Sequence, residues 1–409
     1  MASVVLLGCS KNDPADSGKE KDPGKTETVL KVDQTPITVD CLGDIINVNV
    51  ECNVANTAEV LYDADAEETW ISLSTTKLSG NGTYTLTIGA YESPLAARNA
   101  ELVIKAGDKS ATIQITQTPK ETVSLAHEAI VGIDAERTYS VEVTTNAKWK
   151  AETSDSWITI VKGEGDAGTS KLQIKLAAIG DAARRDGSVV VTSGSTGAIL
   201  KVSQGYGMLI GGLIWAKYNL DEPGTFVDNP EKIGKVYCYD NKTAFPIIGF
   251  NDFKSATDAD KAAPAGFPIN TAYAGMDSWQ KENDPCPAGW RIPTKDEMWA
   301  LIGGEEAHNK WHYHWYYENQ GVYCGSAEAA DANQWDTKGC IFMPFAGYRN
   351  WEDGVQPEAD RVWVQTITRP GQNWQRVCFV FNWTQEMAAA NMENNCAFVI
   401  RPVADLIEE

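Results

Sequence analysis

The sequence is short of positive charge. Its 409 residues include 35 Lys and Arg against 56 Asp and Glu, which gives a formal net charge of −21 at pH 7. Nucleic-acid binding depends on clustered Lys and Arg that neutralise phosphates, and anionic membrane surfaces attract the same residues. The charge balance therefore argues against nucleic acid as a partner and against electrostatic adsorption to a membrane.

Long apolar runs and catalytic motifs are also missing. The sequence has no run of about 18 apolar residues that could span a bilayer as a helix. It has no P-loop, no Gly-x-Ser-x-Gly motif and no His-Glu-x-x-His motif. We therefore expect a protein that is not an enzyme and that uses no cofactor.

Two segments contain residues of the types that bind metal ions. His308, His312 and His314 lie close together in the sequence, but a zinc site needs three or four ligands in tetrahedral geometry, and the surrounding residues are chiefly aromatic. Gln356-Pro357-Glu358 is similar to the first part of the calcium site of C-type lectins, but the second part is missing. We expect no bound metal.

Nine cysteines are present, which is an odd number. Cys9 follows the apolar and small residues Val4–Gly8, an arrangement that resembles the lipobox of bacterial lipoproteins. The stretch before Cys9 is short and lacks Lys and Arg, unlike a complete export signal. We predict that Cys9 is lipidated. Residues 10–28 contain no large apolar side chain, and we predict that residues 1–28 are a signal remnant and a flexible tether.

The other eight cysteines form an even set behind this export signal, which indicates disulfides. Cys41 and Cys52 are near enough in sequence to join one hairpin. The remaining six allow fifteen pairings, between which the sequence does not choose. These six lie in the C-terminal half, and they are Cys238, Cys286, Cys324, Cys340, Cys378 and Cys396.

The N-terminal half contains an internal repeat. Three residue types recur at a constant offset of 87 positions (157 − 70, 185 − 98 and 204 − 117), namely Trp70 and Trp157, Arg98 and Arg185, and Gln117 and Gln204. Within each copy, apolar and polar residues alternate with the period of half-buried strands. The repeat predicts two antiparallel β-sandwiches, over residues 29–119 and 120–206.

The second copy resembles the BACON family. The motifs that carry this resemblance are Asn146-Ala-Lys-Trp149, Trp157-Ile158, Arg185-Asp-Gly187 and Val202-Ser-Gln204. The first copy departs from them, since Tyr62 replaces the Trp and Ala100 replaces the Gly. The resemblance implies immunoglobulin-like sandwiches from surface proteins of Bacteroidetes, which act in carbohydrate binding or as spacers. We expect Trp70, Trp149 and Trp157 to be core residues.

The C-terminal half has a different character. Most of the 14 Trp lie from Trp215 onward, and the strand alternation breaks into short runs. A helix is predicted over 294–302, because Thr294 and Glu297 have the spacing of a capping box and Gly303 and Gly304 follow. Short strands and loops are expected elsewhere.

Residues 208–405 resemble the Fibrobacter succinogenes major paralogous domain family. The motifs that carry this resemblance are Asp284–Thr294, Pro344–Arg349 and Cys396–Val403, together with Trp215 and Asn219-Leu220. The resemblance implies a C-type lectin-like fold, related in shape to formylglycine-generating enzymes, in which the first and last strands pair and carry long loops. It also implies a turn at Gly289, a core position for Trp290, and buried pairs for Arg291 and Arg401.

The segment 361–395 is the most suggestive of ligand binding, because amide, Arg and Trp side chains occur densely without an evident core period. Aromatic rings supply contact area and amides supply adaptable hydrogen bonds. An irregular loop is the alternative interpretation. The segment also lies where retroelement-diversified lectin-like proteins carry their variable patch. The candidate ligand-binding residues are Trp363, Gln365, Asn373, Trp374, Arg376, Asn382, Trp383, Asn391 and Asn394.

Together these features predict a mainly β protein, with two immunoglobulin-like β-sandwiches followed by an α+β C-type lectin-like domain over residues 207–409. We expect an outer-membrane, lipid-anchored adhesin of the cell surface that binds a host or bacterial glycan or protein. A more specific placement is the tip of a pilus, with pilin subunits as partners. The alternatives are a glycan-capture lipoprotein of a polysaccharide-uptake system and an enzyme of the formylglycine-generating type. The C-terminal domain is expected to fold alone and to carry the binding activity.

Overall fold

The chain is mainly β in the computed structural model. The structure describes residues 27–62, 69–180, 184–267, 279–302, 313–316, 321–325, 340–350, 352–356, 361–368, 375–382, 387–393 and 395–407. Contacts divide the chain into two compact units, Met1–Lys120 and Glu121–Glu409.

The first unit contains the first β-sandwich. Its strands are β1 Leu30–Val32, β2 Ile37–Val39, β3 Asp44–Cys52, β4 Asn56–Tyr62, β5 Ile71–Leu73, β6 Lys77–Leu78, β7 Gly82–Ile88, β8 Arg98–Ala106 and β9 Lys109–Gln117. They form one sheet in the order β1-β3-β7-β5 and another in the order β2-β9-β8-β4-β6. Strand β2 is parallel to β9, and the other pairs are antiparallel.

The second β-sandwich repeats this plan. Its strands are β10 Val123–Leu125, β11 Ala129–Gly132, β12 Arg137–Thr145, β13 Trp149–Glu152, β14 Ile158–Lys162, β15 Glu164–Gly165, β16 Gly168–Leu176, β17 Arg185–Ser193 and β18 Thr196–Gln204. The sheet orders are β10-β12-β16-β14 and β11-β18-β17-β13-β15. Strand β11 is parallel to β18, as β2 is to β9. The predicted pair of sandwiches is therefore confirmed.

Alternating side chains of both sheets fill each sandwich. Strand β7, for example, buries Tyr84, Leu86 and Ile88 and turns the intervening residues outward. Trp70 and Trp149 are buried in their respective cores, as expected. Trp157 is only half-buried, and the guanidinium of Arg185 lies 4.4 Å from the centre of its ring.

The three recurring residues form one structural device, which we call the Arg–Gln link. In the first sandwich, Arg98 Nε donates to Gln117 Oε1 at 2.9 Å, and in the second, Arg185 Nε donates to Gln204 Oε1 at 2.8 Å. Each Gln then donates its Nε2 to two backbone carbonyls. Each Arg also lies over the recurring Trp, at 4.5 Å from Trp70 in the first copy. The Arg–Gln link therefore joins the last two strands to the rest of each sandwich.

The predicted disulfides are not found, since none joins any of the eight described cysteines. Cys41 precedes the nine-residue strand β3 and Cys52 ends it. At about 3.3 Å per residue, this strand holds its two ends about 26 Å apart, whereas a disulfide needs Cα atoms within about 7 Å. The extended strand is therefore the reason why these two cysteines are not joined, and the predicted hairpin between them is wrong.

The rest of the second unit is the C-terminal domain, which we call the head. Its strands are β19 Gly207–Ile210, β20 Leu213–Ala216, β21 Val236–Tyr237, β22 Tyr313–Tyr316, β23 Gly321–Gly325, β24 Cys340–Pro344, β25 Tyr348–Asn350, β26 Gly354–Gln356, β27 Arg361–Gln365, β28 Gln375–Asn382, β29 Met387–Glu393, β30 Phe398–Val399 and β31 Val403–Asp405. Its helices are α1 Phe250–Phe253, α2 Asp258–Lys261 and α3 Lys295–Leu301, with a 3-10 turn at Lys281–Asn283.

The described strands of the head form four small sheets, in the orders β19-β20-β31, β21-β30-β27-β28-β29, β22-β23-β24 and β25-β26. Pairing of β20 with β31 brings the beginning and the end of the head together. This closure has the form that the resemblance implied, and a lectin-type relationship stays a prediction. Among the described residues, no helix has the length and apolarity needed to cross a membrane.

Helix α3 begins as predicted. The Thr294 hydroxyl accepts from the Glu297 N–H at 3.1 Å, and the Glu297 carboxylate accepts from the Thr294 N–H at 2.8 Å. The same carboxylate binds Arg291, which also contacts Asp405 of β31 at 2.7 Å. Arg401 differs from expectation, because its buried guanidinium donates to backbone carbonyls, those of Ala216 and Phe342.

Strands β27 and β28 of the five-stranded sheet of the head are buried on both faces, whereas the edge strand β29 is partly exposed. Val364 and its cross-strand partner Phe379 face one cluster, whereas Trp363 and its partner Val380 face another. A strand that is buried on both faces reads as a continuous apolar run rather than as an alternation. This explains why the segment 361–395 shows no core period although its described parts are regular strands.

Candidate functional site

The structure places the candidate ligand-binding residues in different environments. Trp363 is 8% exposed and Gln365 is fully buried, both in β27. The Trp363 ring lies 5.3 Å from that of Tyr348 and 5.7 Å from that of Phe398. These two side chains therefore belong to the core of the head and do not form part of a recognition surface. Asn391 is exposed on β29, the edge strand of the sheet.

Other candidates are placed only in part. Arg376 and Asn382 lie in β28, where the backbone alone is described, and Arg376 is paired with Met392. The structure also gives only the backbone of His314, in β22. The remaining residues of interest lie outside the described ranges, and they are Cys9, His308, His312, Asn373, Trp374, Trp383 and Asn394.

Within the second unit, the head packs against the outer face of β11. Ile130 points into the core of the second sandwich, whereas Val131 joins Ile214, Trp290 and Ala404 of the head in a separate cluster. The C-terminal residues Leu406 and Ile407 reach back onto the sandwich core. All four residues of β11 are buried as a result. The second sandwich and the head thus share apolar contacts, which differs from the independent head expected from the sequence.

A close backbone approach supports this packing. Gly289 has a φ of +83°, and a Cβ atom built there would lie 3.1 Å from the Ala129 Cβ and 3.2 Å from the Val131 Cγ2. Glycine accepts a positive φ at little cost and leaves room for the strand. The predicted turn at Gly289 is confirmed, and its additional role is to seat the head on β11.

An open cleft of about 480 Å³ lies beside this packing surface. Strands β17 and β18 form one wall, and two loops of the head form the other. We call it the junction cleft and define it by Arg184, Asp186, Lys201, Tyr206, Phe226 and Trp290. Its volume falls within the range of about 300–1,000 Å³ that is typical of small-molecule sites.

Aromatic rings form the head side of the junction cleft. The Phe226 ring centre lies 5.5 Å from that of Tyr206 and 5.3 Å from that of Trp290, with the Trp edge-on. Tyr218 adds a fourth ring, 6.4 Å from Phe226. Phe226 and Tyr206 are half-buried and Trp290 is 6% exposed, so the wall is anchored in the core.

Arg184 holds the two walls together. Its guanidinium lies 5.2 Å from the ring centre of Tyr206 and 4.8 Å from that of Tyr218, and it donates one N–H to the Val227 carbonyl at 3.1 Å. A guanidinium has five N–H donors in a planar fork. Several donors of Arg184 are therefore left for a ligand, as far as the described residues show.

Asp186 and Tyr206 form the polar edge of the cleft. The Tyr206 hydroxyl donates to Asp186 Oδ2 at 2.6 Å. Burial raises the pKa of Tyr206 to about 12, and the hydrogen bond to Asp186 adds to this effect. The phenol is neutral at physiological pH and remains a donor. The second carboxylate oxygen of Asp186 can accept a hydrogen bond from a ligand hydroxyl.

Sequence reasoning missed this site because its parts are far apart in the chain. Arg184 and Trp290 are separated by a whole set of strands and loops, and neither carries a motif that points to the other. One feature of the sequence pointed toward this packing. Residues Ala129–Gly132 form a short apolar run without alternation, and such a run is typical of a strand that is covered on both faces. No group of three or more His, Cys, Asp or Glu side chains in the described ranges is placed to hold a metal ion.

Both sandwiches contain segments that match a known protein family. The profile of the BACON family, described as "Putative binding domain, N-terminal", matches residues 45–118 and 147–205. Both sandwiches match BACON. The two matched segments correspond to nearly all of β3–β9 of the first sandwich and to β13–β18 of the second. A comparison with curated proteins gave no match.

Similar solved structures are distant. A Bacteroides ovatus GH5 xyloglucanase, solved with a XXXG heptasaccharide, is 18% identical with a TM-score of 0.20, and the match covers 26% of this chain and 22% of that chain. The I67–I69 fragment of titin is 10% identical with a TM-score of 0.33, over 44% of this chain and 66% of the fragment. The D00-D0 domain of intimin is 8% identical with a TM-score of 0.27, over 44% and 99%. This chain thus spans about a fifth of the xyloglucanase and about two thirds of the titin fragment.

Proposed function

We propose that this protein is a non-enzymatic binding protein of the bacterial cell surface, an adhesin in which the first BACON domain is a spacer and the second unit binds a glycan or protein. The observation that supports this most directly is the junction cleft. It is accessible, it has the volume of a ligand site, and it combines aromatic rings with charged groups. The match of both sandwiches to a family of binding domains agrees with such a role.

The state of the thiols supports a non-enzymatic role over a formylglycine-generating type. That chemistry uses thiolates, the reactive and metal-binding form of cysteine. Burial strongly raises the pKa of the Cys286 thiol, and the Asp284 carboxylate raises it further. Burial also raises the pKa of the Cys324 thiol, with Cys340 adding to the shift. Unless a metal ion binds and ionises them, both side chains are therefore protonated at neutral pH.

Arrays of glycans and extracellular proteins test the proposed function. We expect the full chain and the fragment 121–409 to bind the same array members with similar affinity, because this fragment is one compact unit. The fragment 27–120, which is the first BACON domain alone, should bind none of them. Binding by 27–120 that equals binding by the full chain would contradict the assignment of a spacer.

The proposal includes a lipid anchor at Cys9 in the outer membrane. One acyl chain binds a membrane only marginally, whereas the two or three chains of a bacterial lipoprotein anchor it firmly. Cys9→Ser should therefore move the protein from the membrane fraction to the soluble fraction, with Cys41→Ser as a control that stays in the membrane. Mass spectrometry of the membrane-bound protein that finds no lipid on Cys9 would contradict this part.

Placement at the tip of a pilus is the most specific form of the proposal. Cross-linking of intact cells should then capture pilin subunits together with this chain.

The second candidate function is glycan capture for polysaccharide uptake, which the aromatic wall of the junction cleft favours. Capture predicts that deletion of the gene slows growth on one polysaccharide, whereas adhesion predicts loss of surface attachment with unchanged growth.

A further inference from the structure

The junction cleft carries positive charge in a strongly acidic protein. Three charged side chains line it, the cations Arg184 and Lys201 and the anion Asp186, whereas the whole chain has a formal charge of −21. Lys201 is exposed on β18. Within the described part of the chain, neither cation is held in an ion pair with a carboxylate. The hydrogen bond from Lys232 lowers the pKa of the Asp228 carboxyl, and Arg184 also lies near enough to help lower it. The cleft lining is therefore less negative than the chain as a whole, and its two cations can attract an anionic group.

Asp186, the anion in the cleft, already accepts a hydrogen bond within the fold. Asp186 accepts the Tyr206 hydroxyl at 2.6 Å, which fixes the carboxylate at the edge of the site. Arg184 is fixed too, by its contacts to two Tyr rings and its bond to the Val227 carbonyl. A site with immobilised donors and acceptors loses little entropy when a ligand binds.

The opposite wall is apolar. Phe226 packs between Tyr206, whose ring is tilted by 36°, and Trp290, whose ring is edge-on at 78°, so this part of the lining is aromatic. Aromatic rings of this kind bind the apolar face of a ring-shaped ligand and contribute area at low entropy cost. An acidic peptide would use the cations and leave this wall without a partner. The volume of about 480 Å³ also fits a small ligand better than a protein surface.

We propose that the junction cleft binds an acidic sugar unit, a pyranose that carries a carboxylate or a sulfate. The acidic group pairs with Arg184 and Lys201, the ring face packs on Phe226, and a ring hydroxyl donates to Asp186. The proposal rests on the proposed binding function and names its ligand class. It also assigns the site to the second BACON domain and the head together, so that neither part is sufficient.

The test uses the full chain and an array of uronate and sulfated oligosaccharides, each beside its neutral counterpart. Methyl-esterified oligogalacturonates serve as the neutral form of oligogalacturonates, because esterification removes the charge and keeps the sugar ring and its hydroxyls. We expect acidic members to be retained at least about tenfold more strongly than their neutral counterparts, since hydrogen bonds to a charged group are stronger than those to a neutral one. Binding should weaken as salt is raised, because the cleft is open to solvent.

Lys201→Gln should weaken binding of the retained acidic sugar about tenfold, because it removes one of the two cations. Lys201 makes no side-chain hydrogen bond or ion pair with the residues that the structure describes, and it is exposed, so we expect this change to leave folding intact. Lys171→Gln is the matched control, since Lys171 is exposed on β16 of the same sandwich and does not line the cleft. Arg184→Lys is the second variant, and it should weaken binding further because the planar fork is lost.

The outcomes are distinguishable. Uronate and sulfate members separate the two sources of negative charge. Equal binding of neutral and acidic sugars, or equal affinity of the Lys201→Gln and Lys171→Gln variants, overturns the acidic-sugar site and leaves the proposed function standing. Retention of a pentaglutamate peptide in place of any sugar overturns it as well. A chain that binds no glycan and no protein contradicts the proposed function itself.

Discussion

Single residues explain why the repeat is visible in the sequence at all. The Arg–Gln link appears in both BACON domains with nearly the same distances, and its Arg lies over the recurring Trp in both. Gly187 of the second domain is a further example, since a Cβ there would lie 2.8 Å from the Trp157 ring and 2.7 Å from Asp155. In the first domain, Ala100 stands where the second domain has Gly187, and the recurring Trp of that domain, Trp70, is buried in the core. A few specific contacts thus fix the residue type at these positions, whereas apolar packing alone would accept several residue types.

We predict that Arg185→Ala lowers the free energy of unfolding of the second unit by about 2 kcal/mol, through loss of the charged hydrogen bond and the contact with Trp157. Hydrogen exchange of the full chain should show lost protection in β17 and β18. Arg98→Ala is the internal control, because it should affect only β8 and β9 of the first domain. Unchanged exchange in both variants would show that the Arg–Gln link contributes no stability.

Gly289 provides a second test at the residue scale. Gly289→Ala should destabilise the second unit by about 2–4 kcal/mol, because a positive φ costs about 1–2 kcal/mol for an L-residue and the new methyl group presses on β11. Gly266→Ala is the matched control, since it has a similar φ of +81° with nothing within 4 Å. Urea unfolding measures both, and equal losses would mean that the contact with β11 is unimportant.

At the scale of elements, helix α3 is tied to the end of the chain. Its capping residue Glu297 binds Arg291, and Arg291 binds Asp405 of β31, which pairs with β20. The capping box was predictable because its residues are three positions apart. The contact with Asp405 was not, because it spans more than a hundred residues and depends on the closure of the terminal strands.

The Glu297 carboxylate gives this network a pH dependence. Burial acts to raise the pKa of Glu297, but hydrogen bonds from Arg291 and Thr294 outweigh it and lower the pKa below the ordinary value of 4.5. Because the folded-state pKa is the lower one, the ionised group stabilises the fold above about pH 4.5, and this contribution is lost as the pH falls through the folded-state pKa.

We therefore predict that Glu297→Gln destabilises the second unit at neutral pH and that its difference from wild type shrinks as the pH falls below about 4.5. Urea unfolding at several pH values measures this difference. Asp296→Asn, which changes an exposed carboxylate of the same helix, should differ little from wild type at any pH. A Glu297→Gln difference that stays constant with pH would contradict the role of the ionised carboxylate.

At the scale of the whole molecule, the chain consists of two units rather than of three independent domains. The boundary lies between Lys120 and Glu121, close to the limit of the first sandwich predicted from the repeat. The second BACON domain and the head share the cluster around Val131 and Trp290, an ion pair between Lys217 and Asp134 at 2.8 Å, and the contacts of Leu406 and Ile407. The junction cleft exists only because these two parts are packed together.

This organisation predicts the behaviour of fragments. The fragment 121–409 should unfold in calorimetry at the temperature that the full chain shows for its second unit. The fragment 207–409 should unfold at a clearly lower temperature. Without the second sandwich, Ile214, Trp290 and Leu406 lose apolar contacts and become exposed to water. An unchanged transition in 207–409 would show that the head is independent, as the sequence alone suggested.

The sequence by itself determined the duplicated β-sandwiches, their shared Arg, Gln and Trp positions, and the start of helix α3. These features depend on strand alternation, on a repeat at constant offset and on a three-residue spacing, all of which are visible along the chain. The tertiary structure alone decided that Trp363 and Gln365 are buried, that the extended strand β3 separates Cys41 from Cys52, and that the head covers β11. Such features depend on which surfaces meet, and contacts between residues far apart in sequence leave no local pattern that periodicity or spacing could reveal.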